Sequence, residues 1–359
     1  MAIGKSIYVP ILKWRMGEYQ ALLRLEDRVK DSIVPLFIIP PIEYDFEEQR
    51  PKKTIDEHIS PFGQRYRDKW GIRKSLIDVD GSLESQIMPS GRTVIQHIFD
   101  EIRMGNGCGI PVVKLTNEAN HKKSIRGIAK LDGQGVAFRI ELEELMDVDF
   151  NKKVAELLKE IGCEKDSVDL IVDLTVPSTF EPYDEFAEAI REVINSIEGL
   201  NTYRSFVLAG TALNLSEVKR PGTDLLRHEW HFYKSLCLLF GNEVRIPNFG
   251  DYTIESPGFT SLDMRKIRPA GKIVYTADDV WHIRKGGAFR DDNAQMQKHC
   301  RDIIRSNHYK GADYSQGDLR IENTANGKEN YGNLTTWKWV GVNHHITVVV
   351  QQVSSFHGS

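Results

Sequence analysis

The sequence predicts a (β/α)8 barrel of the TIM type, followed by a smaller α+β unit. Eight short apolar runs lie between Ile7 and Phe249, and a helical stretch follows each of the first seven. Several runs are almost continuous in Val, Ile and Leu, which is typical of parallel strands buried on both faces. We expect strands at residues 7–12, 33–39, 75–79, 110–115, 135–140, 170–174, 205–209 and 244–249.

Apolar spacing and terminal glycines predict the helices between these runs. Leu22, Leu25 and Val29 form an apolar face after the first run, and Gly162 and Gly241 follow later helical stretches, where glycine commonly ends a helix. The segment after the second run is unusually long, polar and charged for a barrel loop. We expect further helices at residues 55–66, 94–102, 154–161, 181–197 and 225–239.

The length of the chain leaves room for a second unit. The chain has 359 residues, whereas a barrel of this kind needs about 250. We therefore assign residues 1–257 to the barrel and residues 258–359 to an α+β subdomain packed on it, since no Pro/Ser-rich linker separates the two. In the subdomain we expect a helix at residues 292–304 and a closing strand at residues 346–353.

The composition indicates a soluble, cytoplasmic protein. Apolar residues make up 40% of the chain, charged residues 27%, and the net charge of −4 gives no overall field that would attract nucleic acid. The four cysteines form no CxxC pair, as expected in a reducing compartment. The N-terminus lacks the apolar core of a signal peptide, and no run approaches the roughly 18 residues that span a bilayer.

Charged side chains end most of the predicted strands, and in such a barrel they would meet at one mouth. Asp78, Asp173 and Asp251 supply oxygen ligands of the kind that suits Mg²⁺. Glu141 and Asp173 are also candidates for acid–base catalysis. The alternative is an internal ion-pair network that fills the barrel, because buried charges are costly unless they are paired or used.

The same strand ends predict anion binding. Cationic side chains can hold a phosphate or a carboxylate, and the loops after the seventh and eighth strands often bind phosphate in these barrels. The ligand-binding candidates are Lys114, Arg139, Gly210, Thr211 and Asp251. Lys13 ends the first run and is a catalytic candidate. It could form a Schiff base if burial lowers its pKa, but we favour an anion-binding role, which is the commoner use of a barrel lysine.

Two adjacent histidines precede the predicted closing strand. Neighbouring residues of a strand point to opposite faces, so His344 and His345 do not suit one zinc ion. We predict that His345 faces the mouth as a general acid–base, and that residues 314–318 and 332–345 lie over the strand ends as a lid. The alternative is a stabilising cap on the opposite face. Trp337 and Trp339 are expected on one strand face in the core.

The remaining charged motifs are interpreted as contact surfaces or solvent-exposed faces. Arg227 and Glu229 are expected to fix the outside of the barrel to another element, for which the C-terminal unit is one candidate, and a catalytic role is the alternative. The stretch at residues 114–130 contains His121 and several lysines, and most such runs are solvated faces. It is the only local support for contact with nucleic acid.

Several short segments of the sequence resemble the T-even-phage beta protein family, which also occurs in bacterial genomes. They are PILKWRMGEYQAL from Pro10, AGTA from Ala209, RHEW from Arg227, GKIVYT from Gly271, YSQGD from Tyr314, GNLTTWK from Gly332 and HHIT from His344. The resemblance covers nearly the whole chain and departs from the family pattern at Leu213-Asn214 and Val274. It implies an origin in phages or in bacterial mobile or defence loci, and it implies no reaction.

Three functional hypotheses follow. The leading one is a barrel that binds or acts on a small anionic molecule such as a nucleotide or phosphorylated metabolite, with Mg²⁺ as the only cofactor that the residues suggest. The second is a non-catalytic component of a phage–host conflict that binds a protein partner. The third is a nucleic-acid binder or nuclease, which the −4 net charge disfavours.

Overall fold

A closed barrel of eight parallel strands organises the chain. The structure is a computed structural model that describes residues 2–241, 245–259 and 267–358. Its strands are β1 Val9–Lys13, β2 Leu36–Ile39, β3 Tyr44–Asp45, β4 Arg50–Pro51, β5 Lys74–Val79, β6 Cys108–Val113, β7 Val136–Glu141, β8 Val168–Asp173, β9 Ser205–Ala209, β10 Gly222–Leu226, β11 Asn248–Asp251, β12 Ala270–Thr276 and β13 Val280–Ala288.

The order of strands around the barrel is β1-β11-β9-β8-β7-β6-β5-β2, and β2 closes the ring against β1. This confirms the predicted (β/α)8 fold class. Both faces of these strands are buried, which explains why the runs are almost continuously apolar. The last predicted strand began at Val244, which lies outside the described residues, and β11 begins at Asn248.

Helices surround the barrel and cover the second sheet. They are α1 Met16–Leu23, α2 Asp27–Lys30, α3 Ile55–Ile59, α4 Phe62–Lys69, α5 Val94–Met104, α6 Ala119–Asp132, α7 Leu142–Leu145, α8 Phe150–Ile161, α9 Tyr183–Asn195, α10 His228–Phe240, α11 Gln295–Ile304, α12 Gln316–Ala325 and α13 Leu334–His357. Gly162 caps α8 with φ +77°, the left-handed conformation that glycine adopts without strain.

The end of the chain is a helix, so the predicted strand at residues 346–353 is wrong. Asn333 caps α13 through a reciprocal capping box with Thr336, and the helix then runs for 24 residues. Val342, Ile346 and Val349 belong to the same core as barrel residues. A helix buried between the barrel and the second sheet is apolar on more than one side, and its β-branched run therefore imitates a strand.

The second sheet is antiparallel, with the strand order β10-β13-β12. Its edge strand β10 lies within the segment assigned to the barrel, and the last two residues of this strand are where the sequence suggested the start of a helix. The second sheet therefore includes one strand from the segment assigned to the barrel, and the division between residues 257 and 258 stays a prediction. Helices α11 and α12 pack on this sheet through Ile273, Tyr275, Met296 and Ile321. Among the described helices, none combines the length and the apolar character that crossing a membrane requires.

Candidate functional site

A buried ion-pair network fills the barrel mouth. Arg139, on β7, lies between two carboxylates, with Nη1 2.9 Å from Asp78 Oδ2 and Nη2 2.7 Å from Asp173 Oδ2. Lys114 adds a second cation 2.8 Å from Asp78. The Tyr252 hydroxyl donates to Asp173 over 2.5 Å. We call these five residues the mouth network.

The charges of the mouth network balance one another. Two cations face two carboxylates, and the Asp78 and Asp173 side chains are almost fully buried. Burial acts to raise the pKa of Asp78, but Lys114 and Arg139 together hold that pKa below its ordinary value. This geometry matches the alternative of an internal ion-pair network. The two carboxylates neutralise the two cations, so the network has no net positive charge that would attract an anion. The metal-binding and ligand-binding roles of these residues stay predictions.

Asp251 lies on the other side of the barrel wall. Tyr252 faces the barrel interior, and successive side chains alternate between the two faces, so Asp251 points outward. Asp251 accepts a hydrogen bond from the Tyr8 hydroxyl and lies 3.0 Å from Nε2 of His345. Nδ1 of His345 is 2.9 Å from the hydroxyl of Thr276. We call Tyr8, Asp251, Thr276 and His345 the outer network.

The outer network corrects two expectations. Asp251 does not join Asp78 and Asp173 in one carboxylate group, so the three-carboxylate Mg²⁺ site is not assembled. His345 lies on α13 against the outer wall and does not face the mouth. Burial lowers the pKa of His345 although Asp251 acts to raise it, which favours a neutral ring that donates from Nε2 to Asp251 and accepts at Nδ1.

The neighbouring histidine is also structural. His344 is buried, with Nδ1 2.7 Å from Asp318 Oδ2 and Nε2 2.8 Å from the Thr276 carbonyl. Ser315 caps α12 and donates to the same Asp318 carboxylate over 2.5 Å. Trp337 and Trp339 lie on α13 two residues apart, so they do not share one face as a strand would allow.

The other predicted site residues serve local structure. Glu141 is exposed and forms a capping box with Glu144 at the start of α7. The backbone N–H of Thr211 donates to the Thr175 carbonyl over 2.9 Å, and the Thr211 hydroxyl accepts from the N–H of Leu213. These groups are therefore engaged within the protein, and the ligand-binding role of Thr211 stays a prediction.

A cleft of about 540 Å³ opens at the carboxyl ends of β1 and β2. Lys13 and Ile39, the last residues of the two strands, line it together with the start of α1 and the start of α13. We call it the β1 cleft. Its charged lining consists of the cations Lys13, Arg15, Lys52, Lys53, Arg65 and Lys338 and the carboxylates Glu18, Glu43 and Glu255, with His58 beside them.

Lys13 is held in this cleft by the segment after β11. Its ammonium donates to the Gly258 carbonyl, lies 3.9 Å from Glu255 and sits 4.9 Å from the centre of the Phe259 ring. Burial lowers its pKa to about 8, although Glu18 acts to raise it. A lowered lysine pKa means that the protein does not fully compensate the buried positive charge.

Glu18 and Lys338 complete the electrostatics of the β1 cleft. Glu18 is 2% exposed, and its Oε1 has no hydrogen-bond partner among the described residues. Burial raises the pKa of Glu18 to about 7, against the lowering effect of Lys338 and Lys13. Burial lowers the pKa of Lys338 to about 8, although Glu18 raises it, and Lys338 also contacts Glu255. The cleft thus holds groups that can exchange protons near neutral pH.

Sequence reasoning identified Lys13 and missed most of the other charged residues of the cleft. Lys52, Lys53 and Arg65 lie in the long charged segment after β2, whose unusual length was a usable signal. Lys338 is distant along the chain and reaches the cleft only because α13 packs against α1. No local pattern marks such a contact.

Among the described residues, one group of three histidine or acidic side chains could share a metal ion. It is Asp224, His282 and His308, which the sequence gave no reason to combine. It lies at the antiparallel sheet and shares no residue with the mouth network or the β1 cleft.

The comparisons with known proteins identify a family. A family model described as Beta protein matches residues 8–351. The YdjI aldolase from Escherichia coli K12 is 9% identical with a TM-score of 0.35, covering 98% of this chain and 91% of its own. The 3-hexulose-6-phosphate synthase from Salmonella typhimurium is 17% identical with a TM-score of 0.32, covering 68% and 87%. The alanine racemase from Clostridium difficile 630, in complex with cycloserine, is 11% identical with a TM-score of 0.35, covering 76% and 59%. The search of curated proteins gives no match.

Proposed function

We propose that this chain, which belongs to the Beta protein family, binds a small anionic ligand in the β1 cleft. The ligand class that we infer is a phosphate ester, of which a nucleotide or a phosphorylated metabolite is an example. The proposal keeps the anionic ligand expected from the sequence and places it beside the barrel mouth, because the mouth network is already neutralised by its own residues.

The observation that carries the proposal is the uncompensated positive charge of the cleft. Six cations line it against three carboxylates, and the pKa of one carboxylate, Glu18, is raised to about 7. Two of the cations, Lys13 and Lys338, have pKa values lowered to about 8 by burial. A bound anion would supply the missing negative charge, so binding would be favourable and would raise both lysine pKa values.

The size and the walls of the cleft suit such a ligand. Its volume of about 540 Å³ lies within the range of about 300–1,000 Å³ that is usual for small-molecule sites. Arg15 directly precedes α1, and Leu334 and Thr335 open α13, so the positive ends of two helix dipoles face the cleft. Trp14, Tyr19 and Phe62 add apolar wall on which a base or sugar could pack.

The proposal uses one of the four predicted catalytic residues. Lys13 binds the anion and, with a pKa of about 8, can also donate or accept a proton near neutral pH. Glu141 is an exposed helix cap, Asp173 is neutralised by Arg139, and His345 lies on the outer wall. These three residues have no part in the proposed site.

Calorimetric titration with inorganic phosphate, pyrophosphate and AMP tests this proposal. We predict that Lys13→Met weakens the binding of the anion that wild type prefers by about 10- to 100-fold, because one charge-assisted contact is lost. Lys152→Met is the matched control, since Lys152 is an exposed lysine on α8. Wild-type affinity in Lys13→Met, or no binding of any of the three anions by wild type, contradicts the proposal.

The two other functional hypotheses stay predictions and can be separated from this one. A protein partner in a phage–host conflict would still bind after Lys13→Met. Nucleic acid would bind at low salt and dissociate as salt is added. The basic stretch gives this third hypothesis little support, because His121 is buried and Lys122 donates to the Leu115 carbonyl over 2.9 Å.

A further inference from the structure

A group of three side chains at the edge of the antiparallel sheet has the composition of a metal site. Asp224 on β10 and His282 on β13 are direct cross-strand partners, and His308 lies in the turn after α11. The potential ligand atoms of the three residues all lie within 4.8 Å of one another. We propose that Asp224, His282 and His308 bind one Zn²⁺ ion, and we call them the sheet triad.

The backbone brings the three side chains together before any ion binds. Side chains of directly paired residues project from the same face of a sheet, so β10–β13 pairing fixes Asp224 beside His282. The turn that carries His308 is tied down on its far side, where the N–H of Lys310 donates to the Tyr275 hydroxyl over 2.9 Å. A site that forms from positions already held by the fold loses little conformational entropy on binding.

The present contacts are hydrogen bonds that a metal ion would replace. His282 Nδ1 is 2.6 Å from Asp224 Oδ1, and His308 Nε2 is 3.4 Å from Asp224 Oδ2. The His282 and His308 ring centres are 4.9 Å apart. Metal–ligand bonds of about 2.0–2.2 Å require only small side-chain shifts from this arrangement. Binding would release any proton held between His282 and the carboxylate.

The donor set selects the class of ion. Two imidazole nitrogens and one carboxylate oxygen suit Zn²⁺ and Fe²⁺, whereas Mg²⁺ prefers oxygen ligands. Cu²⁺ and Ni²⁺ also accept imidazole ligands but favour square-planar or tetragonal geometry, whereas Zn²⁺ favours a tetrahedral arrangement. Three protein ligands leave a fourth position of a tetrahedral ion open to water or another ligand, as in zinc sites that take part in chemistry.

The triad is partly buried and partly open to solvent. His282 has a side-chain exposure of 13%, and its Nε2 has no hydrogen-bond partner among the described residues. Asp224 is the most exposed member, with 45% side-chain exposure, so the group remains open to an ion from solvent. The triad is thus accessible to an ion from the side of Asp224.

Zinc titration of the full chain tests the proposal. After chelation, wild type should bind one Zn²⁺ in competition with a chromogenic chelator, and Co²⁺ should give the visible bands of a tetrahedral site. His308→Gln and Asp224→Asn should each weaken Zn²⁺ binding by about 100-fold or more. The Asp224→Asn variant keeps the size of the side chain, so a loss of binding is not a loss of packing.

His231→Gln is the matched control. His231 also lies near an aspartate, with Nε2 3.6 Å from Asp279, but that pair has no third ligand among the described residues. The control should bind Zn²⁺ as wild type does, and circular dichroism should show that all variants are folded. Zn²⁺ affinity unchanged by both triad substitutions would overturn the proposal. Fe²⁺ binding under anaerobic conditions without Zn²⁺ binding would overturn the choice of ion.

Discussion

At the scale of single residues, the interface between the barrel and the C-terminal sheet contains a buried carboxylate that resists ionisation. Glu229 is 2% exposed, and its Oε2 accepts from the backbone N–H of Ala212 over 3.3 Å. Arg227 is fully buried and donates to Gln352 and to two backbone carbonyls of the β12–β13 turn. It thus connects the barrel to the C-terminal unit as the sequence suggested.

Glu229 predicts a specific dependence of stability on pH. Burial raises its pKa from 4.5 to about 7, with Arg227 lowering it and Asp251 raising it. Between these pH values the unfolded chain loses its proton first, so the folded state is progressively penalised as pH rises. Glu229→Gln should therefore gain stability relative to wild type from pH 4.5 to 7, by on the order of 3 kcal/mol, and then level off.

Urea denaturation at several pH values measures this effect. Glu188→Gln, at an exposed position of α9, is the control and should show little pH-dependent difference. A difference between Glu229→Gln and wild type that stays constant from pH 4.5 to 8 would show that Glu229 ionises normally.

The sequence identified the polar residues at the strand ends, but it did not show which residues their side chains contact. Lys13, Asp173 and Glu141 do end strands as expected. Asp251 ends β11 as well, yet it points outward, because Tyr252 takes the inward position. A shift of one residue reverses the face of a side chain, and an apolar run does not define its ends that closely.

At the scale of elements, α13 determines how the barrel and the second sheet fit together. Gly341 on this helix is buried where a side chain would not fit. A Cβ there would lie 2.6 Å from Ile254 Cδ1 and 3.0 Å from the Val274 carbonyl oxygen. The close approach of the helix to the strand thus requires glycine at this position.

Replacing Gly341 by alanine separates packing from helix propensity. Alanine favours a helix over glycine by about 1 kcal/mol, but the contact with a backbone carbonyl cannot relax easily. We predict that Gly341→Ala destabilises the protein by about 1–3 kcal/mol in urea denaturation. Gly127→Ala on α6, where no atom lies within 4 Å of the new Cβ, should instead stabilise it by up to about 1 kcal/mol. Equal or greater stability of Gly341→Ala would refute the close-packing argument.

The elements of the barrel were predictable because each strand has the same environment. Apolar runs between helices report burial on both faces, and that pattern depends only on local sequence. The identity of α13 was not predictable in this way, since Val348, Val349 and Val350 favour a strand by local preference. The helix is stabilised by burial against the barrel and the second sheet. The residues that it contacts there lie far from α13 along the chain.

At the scale of the whole molecule, the β1 cleft exists only when both parts of the chain are folded together. Lys13 and Arg15 come from the first strand and its loop, Glu255 from the segment after β11, and Lys338 from α13. The mouth network is neutralised by its own residues, and the β1 cleft beside it offers a volume of about 540 Å³. Binding at this position would therefore link the barrel to the C-terminal helix.

Anomalous diffraction from crystals equilibrated with tungstate, a heavy analogue of phosphate, tests this central claim most directly. The account predicts a peak in the β1 cleft within hydrogen-bond or one-water reach of the Lys13 ammonium and beside Arg15 and Lys338. Lys13→Met crystals should lose most of that peak. A peak against Lys114 and Gly210-Thr211 in the barrel mouth, with none in the β1 cleft, would contradict the account.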